Sequence, residues 1–406
     1  MGPRSRPSPA PVRADVPGGT VVFQRGVGAN VFDVDGNRYV DLAAGFGSLL
    51  LGHSPVATLR GLELQSARLL QALGDVHPSD AKIGLLERLA RLYPRPGARV
   101  ILGQSGADAV TAAIKSAVLA TGRTGMLAFR GAYHGLSYAP LAACGLRASY
   151  RDPFGAQLAA CDFVDYPCDP ESAERTLEAV KEHLQLHAVA CVLIEPVLGR
   201  GGCVVPPAGF LRELARVTRA SGALLVGDEI WTGLGRTGAM LRSVEEGVVP
   251  DLICLGKGLG GGIPISAVVG AGEVMQAWER DAEVVHTATF SGAPLACTAA
   301  LATLDALGRD DLVGRAKNLG ERWREALGAE LPNGVTVRGV GLMVGVDLGA
   351  GVGAASRLAC LLLERGYLTT TGGGGRETLV LTPPLNTPDE LLFDFVPHLV
   401  QSLKEL

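Results

Sequence analysis

The chain has 406 residues, 47% of them hydrophobic and 19% charged, with a formal net charge of −4. That length holds two to three domains at roughly 150 residues each, and a chain this apolar can bury a large core. The charge balance provides no basic surface for nucleic acid or acidic membranes, so small molecules are the expected partners.

Residues 1–18, rich in proline and arginine, have no apolar h-region and predict a mobile extension rather than a secretory signal. Next, "GANVFDVDGNRYVDLAAGFGS" alternates apolar and polar residues around Asp35-Gly36, a hairpin signal. From about residue 80 to 300, short apolar runs ("ARVILG", "GMLAF", "HAVACVLIEP", "ALLVGDE", "DLICLG", "ISAVVG") alternate with helical stretches. This alternation predicts an α/β domain with a mostly parallel central sheet flanked by helices. A helix opening near Pro294 and a charged helix follow. The last part, with "VTVRGVGLMVGVDL", "ASRLACLLLERG" and "TLVLTPPLN", reads as a smaller α+β unit. The expected division is an extension (1–18), a large α/β domain (61–310), and a small domain built from segments 19–60 and 311–406.

No apolar run approaches the roughly 18 residues needed to span a bilayer. The eight cysteines form no C-x-x-C pair and mostly lie in apolar surroundings, which predicts reduced core thiols in the cytoplasm.

Lys257 carries the most information about chemistry. It ends an apolar run in "PDLICLGKGLGGG", where loss of hydration pushes an amine toward its neutral form and suits it to Schiff-base chemistry. Upstream, "GALLVGDEIWTG" ends a second apolar run on Asp228, and a carboxylate at the C-terminal end of a parallel strand faces the ligand crevice. An amine to hold an aldehyde and a carboxylate to keep a ring nitrogen protonated point to pyridoxal 5′-phosphate (PLP). In "GQSGADAVTAAIKSA", Ser105, Gly106 and Ala107 mark a strand-to-helix turn able to bind phosphate. Taken alone, Ser105 is an ordinary helix cap. Tyr133 and His134 in "FRGAYHGLSYAP" could place a ring against a flat cofactor, although, taken alone, a turn with a buried aromatic explains them better.

Other motifs fail. "GKGLGGG" lacks the spacing of a nucleotide phosphate loop, no G-x-G-x-x-G opens an early helix, and "GQSGA" misses a nucleophile elbow at Ala107. His183 and His187 have no accompanying carboxylate or cysteine motif, so no metal is expected.

Assembled in order, "VFDVDGNRYVDLAAGFGSLLLGH", "SGADA", "AYHG", "IEPVLGRGG", "GALLVGDEIWTGLGRTG", "LGKGLGGGIPISAVVG", "HTATFSGAPLAC" and "LTPPL" resemble the class III (ω-type) aminotransferases of PLP fold type I, from about residue 20 to the C-terminus. The resemblance implies that Lys257 is the Schiff-base lysine and that Asp228 partners the pyridine nitrogen. It places Ile230 under the ring opposite Tyr133, with Gly106 and Ala107 on the phosphate. Thr289 would reach the phosphate bound by the other subunit of a homodimer with shared active sites. Glu195 and Glu229 match polar residues near the cofactor or substrate.

Four departures stand out. Trp231 replaces a usual glutamine, Leu198 and Arg200 replace Gln and Glu/Ala of the "EPxQGxGG" pattern, and Asp108 replaces a glutamate. Val380 stands where the family often has an arginine that grips a substrate α-carboxylate. Arg376 and Arg200 are the candidate replacement cations, and otherwise a substrate bound without that clamp is expected. The implied function is a ping-pong transaminase working between an amine or amino-acid donor and a keto or aldehyde acceptor. A racemase, epimerase or decarboxylase on the same fold, or a non-catalytic binding protein, are the alternatives.

Overall fold

The computed structural model of the chain describes residues 21–279, 284–349 and 351–406. The expected N-terminal extension lies outside the described residues.

Strands β1 (Phe23–Val27), β2 (Asn30–Asp33) and β3 (Arg38–Asp41) form an antiparallel meander. Its β2–β3 turn is the one expected at Asp35-Gly36: Asp33 Oδ1 accepts from the Asp35 and Asn37 amides, and Gly36 takes φ 84°. Positive φ favours glycine there.

The central sheet has seven strands: β4 (Arg99–Gly103), β5 (Gly125–Phe129), β6 (Cys161–Val164), β7 (Val189–Ile194), β8 (Leu224–Asp228), β9 (Leu252–Leu255) and β10 (Ser266–Gly270). Their order is β4-β10-β9-β8-β7-β5-β6. Neighbours from β9 to β6 are parallel, and β10 runs antiparallel to both β4 and β9. All six residues of β7, "VACVLI", are buried, as a strand covered by helices on both faces requires.

The C-terminal part supplies β11 (Thr336–Val340), β12 (Met343–Asp347), β13 (Tyr367–Leu368), β14 (Thr370–Gly372) and β15 (Thr378–Leu381). Four of these form a sheet ordered β11-β12-β15-β14, while β13 pairs in parallel with β3. Segments from the two ends of the chain therefore share a sheet. One buried cluster joins all these layers, from Val40 and Leu50 through Leu193 and Ile253 to Trp323 and Phe395.

This topology positions the site. Strand β4 opposes β10, which opposes β9, so β4, β5, β7, β8 and β9 all point the same way. Their C-terminal ends at Gly103, Phe129, Ile194, Asp228 and Leu255 deliver five loops to one edge, where open α/β sheets bind ligands.

Candidate active site

Those loops enclose a cavity of about 260 Å³ lined by Gly106, Ala107, Tyr133, His134, Gly135, Leu136, Glu195, Asp228, Ile230, Trp231 and Lys257. Nine of these are residues singled out in the sequence, drawn together from all five strand ends. Gly135 and Leu136 are additions, adjacent to His134 and without a signal of their own.

Lys257 follows β9 with φ 39°, a left-handed conformation uncommon for a side-chain-bearing residue. Its Nζ lies 4.1 Å from the centre of the Trp231 ring. Burial pushes the amine down to about 8, against the opposing pull of the Asp228 and Glu195 charges, and Arg200 pushes in the same direction as burial. The lysine is thus held near the neutral form that a nucleophile or base requires.

Asp228 ends β8 with both carboxylate oxygens engaged. Oδ1 accepts from the Ile230 amide at 3.1 Å, and Oδ2 meets His134 Nδ1 at 2.7 Å. His134 is therefore a hydrogen-bond partner of Asp228. Its other nitrogen, Nε2, is buried without a hydrogen-bond partner. Glu195 is buried, and burial raises its pKa. Its oxygens accept from the Tyr133 amide at 2.7 Å and the Gly199 amide at 2.9 Å, tying two of the loops together.

Gly106 and Ala107 open the helix Gly106–Thr121, whose first amides have no intrahelical acceptor. A Cβ at Gly106 would come within 3.0 Å of Ile230 Cδ1, so glycine keeps the space between this turn and Ile230 open. The Ser105 hydroxyl is spent on the cap: it accepts from the Asp108 amide at 3.2 Å, and Asp108 Oδ2 accepts from the Ser105 amide at 3.0 Å. The shorter acid thus still closes a capping box.

Four more candidates lie outside this lining: Arg200, whose guanidinium carbon stands 5.4 Å from the centre of the Tyr133 ring, and three others. Both oxygens of Glu229 are turned inward, one to Thr232 Oγ1 and the other to Ser243 N and Oγ. Arg376 is exposed. Thr289 is also exposed, with its carbonyl accepting from Gln71 Nε2 at 2.8 Å. Among the described residues no group of three or more His, Cys, Asp or Glu is arranged to hold a metal ion.

Sequence reading did not anticipate the setting of Trp231. The indole is buried between two glycines: a Cβ at Gly47 would come within 2.2 Å of its Nε1, and one at Gly199 within 2.4 Å of its Cε3. It packs with Val197, Cys203, Met343 and Val380 in an apolar cluster. Nor did it mark Arg236, which is fully buried and donates to the Leu342 and Pro383 carbonyls, tying the loop after β8 to the C-terminal part.

A depressed amine, a fixed carboxylate beside an unpartnered imidazole nitrogen, and free helix amides together fit PLP. The family model for class III aminotransferases matches residues 13–403, and the chain belongs to that family of PLP-dependent enzymes. It is 37% identical to the acetylornithine aminotransferase of Mycobacterium tuberculosis over 380 residues, covering 93% of this chain and 90% of that one. It is 32% identical to the 5-aminovalerate aminotransferase of Pseudomonas aeruginosa, over 95% and 94% of the two chains. A PLP-bound amine transaminase from an uncultivated Pseudomonas species superposes with a TM-score of 0.88 at 30% identity, covering 98% of both chains. The fold is PLP fold type I and the chemistry is transamination.

Proposed function

We propose that this transaminase works through Lys257 as the covalent and proton-moving group, with Asp228 as its electrostatic partner, in a homodimer whose sites draw on both subunits. The observation that carries the reading is the placement of Lys257 Nζ, depressed to about 8, in one small cavity with the Asp228 carboxylate.

When bound, PLP supplies an aldehyde and an electron-accepting ring. Gly106 and Ala107 would hold its phosphate through their amides. Ile230 and Tyr133 would flank the ring. Asp228, anchored by His134 and the Ile230 amide, keeps a proton on a basic nitrogen placed beside it. Lys257 Nζ would take a proton from the donor carbon and return it nearby. Trp231 covers the lysine and excludes water from it.

Exposed Leu70, Leu73, Val76, Val284 and Phe290 support the dimer. Their two segments are joined by Thr287 Oγ1 donating to Asp75 Oδ2 at 2.9 Å and by the Gln71–Thr289 bond. An apolar face of this kind marks an interface. A position for Thr289 on it accords with a residue that serves the partner's site. A cytoplasmic location accords with eight unpaired cysteines, and no helix among the described residues is long and apolar enough to cross a membrane.

The test is a half-reaction. Holoenzyme mixed with an amine donor alone should accumulate pyridoxamine phosphate and one equivalent of carbonyl product per site. A racemase or decarboxylase would turn over without that accumulation.

A further inference from the structure

Arg200 is a cation without an acid. Among the described residues no hydrogen bond or ion pair engages its guanidinium, and its Nε is buried without a partner. The guanidinium carbon stands 5.4 Å from the centre of the Tyr133 ring, the aromatic wall of the cavity. A planar guanidinium resting on a ring keeps its N–H fork free for a carboxylate.

The backbone at this position is held firmly. The Arg200 carbonyl accepts from the Gly373 amide at 2.8 Å, and a Cβ at Gly372 would lie 3.0 Å from that carbonyl and 2.8 Å from Val380 Cγ2. Positions 200 and 380 are thus neighbours across Gly372. Val380 is fully buried in the apolar cluster with Trp231 and Met343. Neither arginine is among the residues that line the cavity; Arg200 borders it over the Tyr133 ring, whereas the rival Arg376 is exposed at φ 58° with its carbonyl accepting from the Ala355 amide.

We propose that Arg200 binds a substrate carboxylate, the cation having moved from strand β15 to the loop after β7. The substrates it selects are amino compounds and oxo acids with a carboxylate reaching the Tyr133 side of the cavity, and their apolar chain lies toward Trp231. This rests on the transaminase reading of the same cavity.

The test uses holoenzyme and two donors that differ by one carboxylate, 5-aminovalerate and pentylamine, together with binding of glutarate, an unreactive dicarboxylate, by calorimetry. Replacing a charge-assisted fork by a neutral amide should cost about 10- to 150-fold. Arg200→Gln should therefore lower the ratio of kcat/KM for 5-aminovalerate over pentylamine by that factor and weaken glutarate to match. Arg200→Lys should restore part of both, and Arg376→Gln should leave both as in wild type. An equal loss with the two donors would make Arg200 structural, and an unchanged ratio, a loss with Arg376→Gln, or wild-type protein that does not bind glutarate would each overturn the assignment. Wild-type protein that binds glutarate through Arg200 yet forms no pyridoxamine phosphate from any donor would instead sink the transaminase reading alone.

Discussion

The basicity of Lys257 can be tested without any substrate. The amine falls from its ordinary 10.5 to about 8 because burial removes its hydration. At pH 7 that leaves about 9% of it neutral instead of about 0.03%, a gain of roughly 300-fold in the reactive form. The perturbation is pH, and the assay is stopped-flow capture of PLP by cofactor-free protein, read by cofactor absorption. The logarithm of the rate should climb with unit slope to about pH 8 and then level. Two variants carry opposite signs. Asp228→Asn removes a negative charge that supports the ammonium and should move the break to lower pH, while Arg200→Gln removes a repelling cation and should move it to higher pH. The same shift appears in stability. Between about pH 8 and 10.5 the unfolded chain still holds a proton that the folded chain has lost, so the cofactor-free protein should gain stability as pH rises through that window and hold the gain above it. A rate that keeps climbing through pH 10 would show an amine of ordinary basicity. Breaks displaced in the same direction by both variants would refute the charges assigned around it.

In the holoenzyme, Asp228→Asn should slow proton removal from the donor carbon by more than the roughly 10²–10⁴-fold typical of losing one general acid or base; a single-turnover change below tenfold would mean that another residue faces the ring nitrogen. Mixing Lys257→Ala chains with chains altered at Thr289 should regenerate one intact site per hybrid dimer. No recovered activity in verified hybrids would remove Thr289 from the partner's site. Gly199→Ala places a methyl 2.4 Å from Trp231 Cε3 and 3.1 Å from Met343 Cε, an overpacking that should cost roughly 1–3 kcal/mol in urea denaturation and alter tryptophan fluorescence. Unchanged stability would show that the indole moves aside freely.

How far the sequence revealed this depended on the kind of signal. Strands β4, β5, β7, β8, β9 and β10 were legible because each is a short buried run bounded by glycine, proline or charge, and the hairpin because Asp35-Gly36 admits few other structures. Strand β6 was not, since "CDFV" at the edge of the sheet is only partly buried and carries a charge. The places of Lys257, Asp228, Gly106 and Ala107 in the cavity were legible because they sit just at or after strand ends, where the local pattern marks the ligand edge of the sheet. His134 showed as a cofactor neighbour but not as the partner of Asp228, a pairing made across 94 residues by adjacent strand ends. Glu229 illustrates the reverse: the family resemblance placed it near the cofactor or substrate, whereas its carboxylate is turned to Thr232 and Ser243. The slot for Trp231 was hidden because its walls, Gly47 and Gly199, come from distant segments and differ from other glycines only in what lies against them.

Three of the departures from the family pattern meet in that slot and its surroundings. Leu198 goes another way, into the apolar cluster with Phe129 and Ile194. Trp231 and Val380 share one apolar cluster, and Arg200 abuts it through the Gly372 contact. An arginine restored at 380 alone would sit among the apolar Val197, Cys203, Trp231 and Met343, and a buried charge costs several kcal/mol unless it is paired. Arg200 carries its charge on the other side of Gly372, against the Tyr133 ring and at the partly exposed end of the loop. The filled wall and the displaced cation are thus physically linked: the indole that closes the old cation site makes 380 a place for valine, and a substrate carboxylate that needs a positive partner meets one at 200.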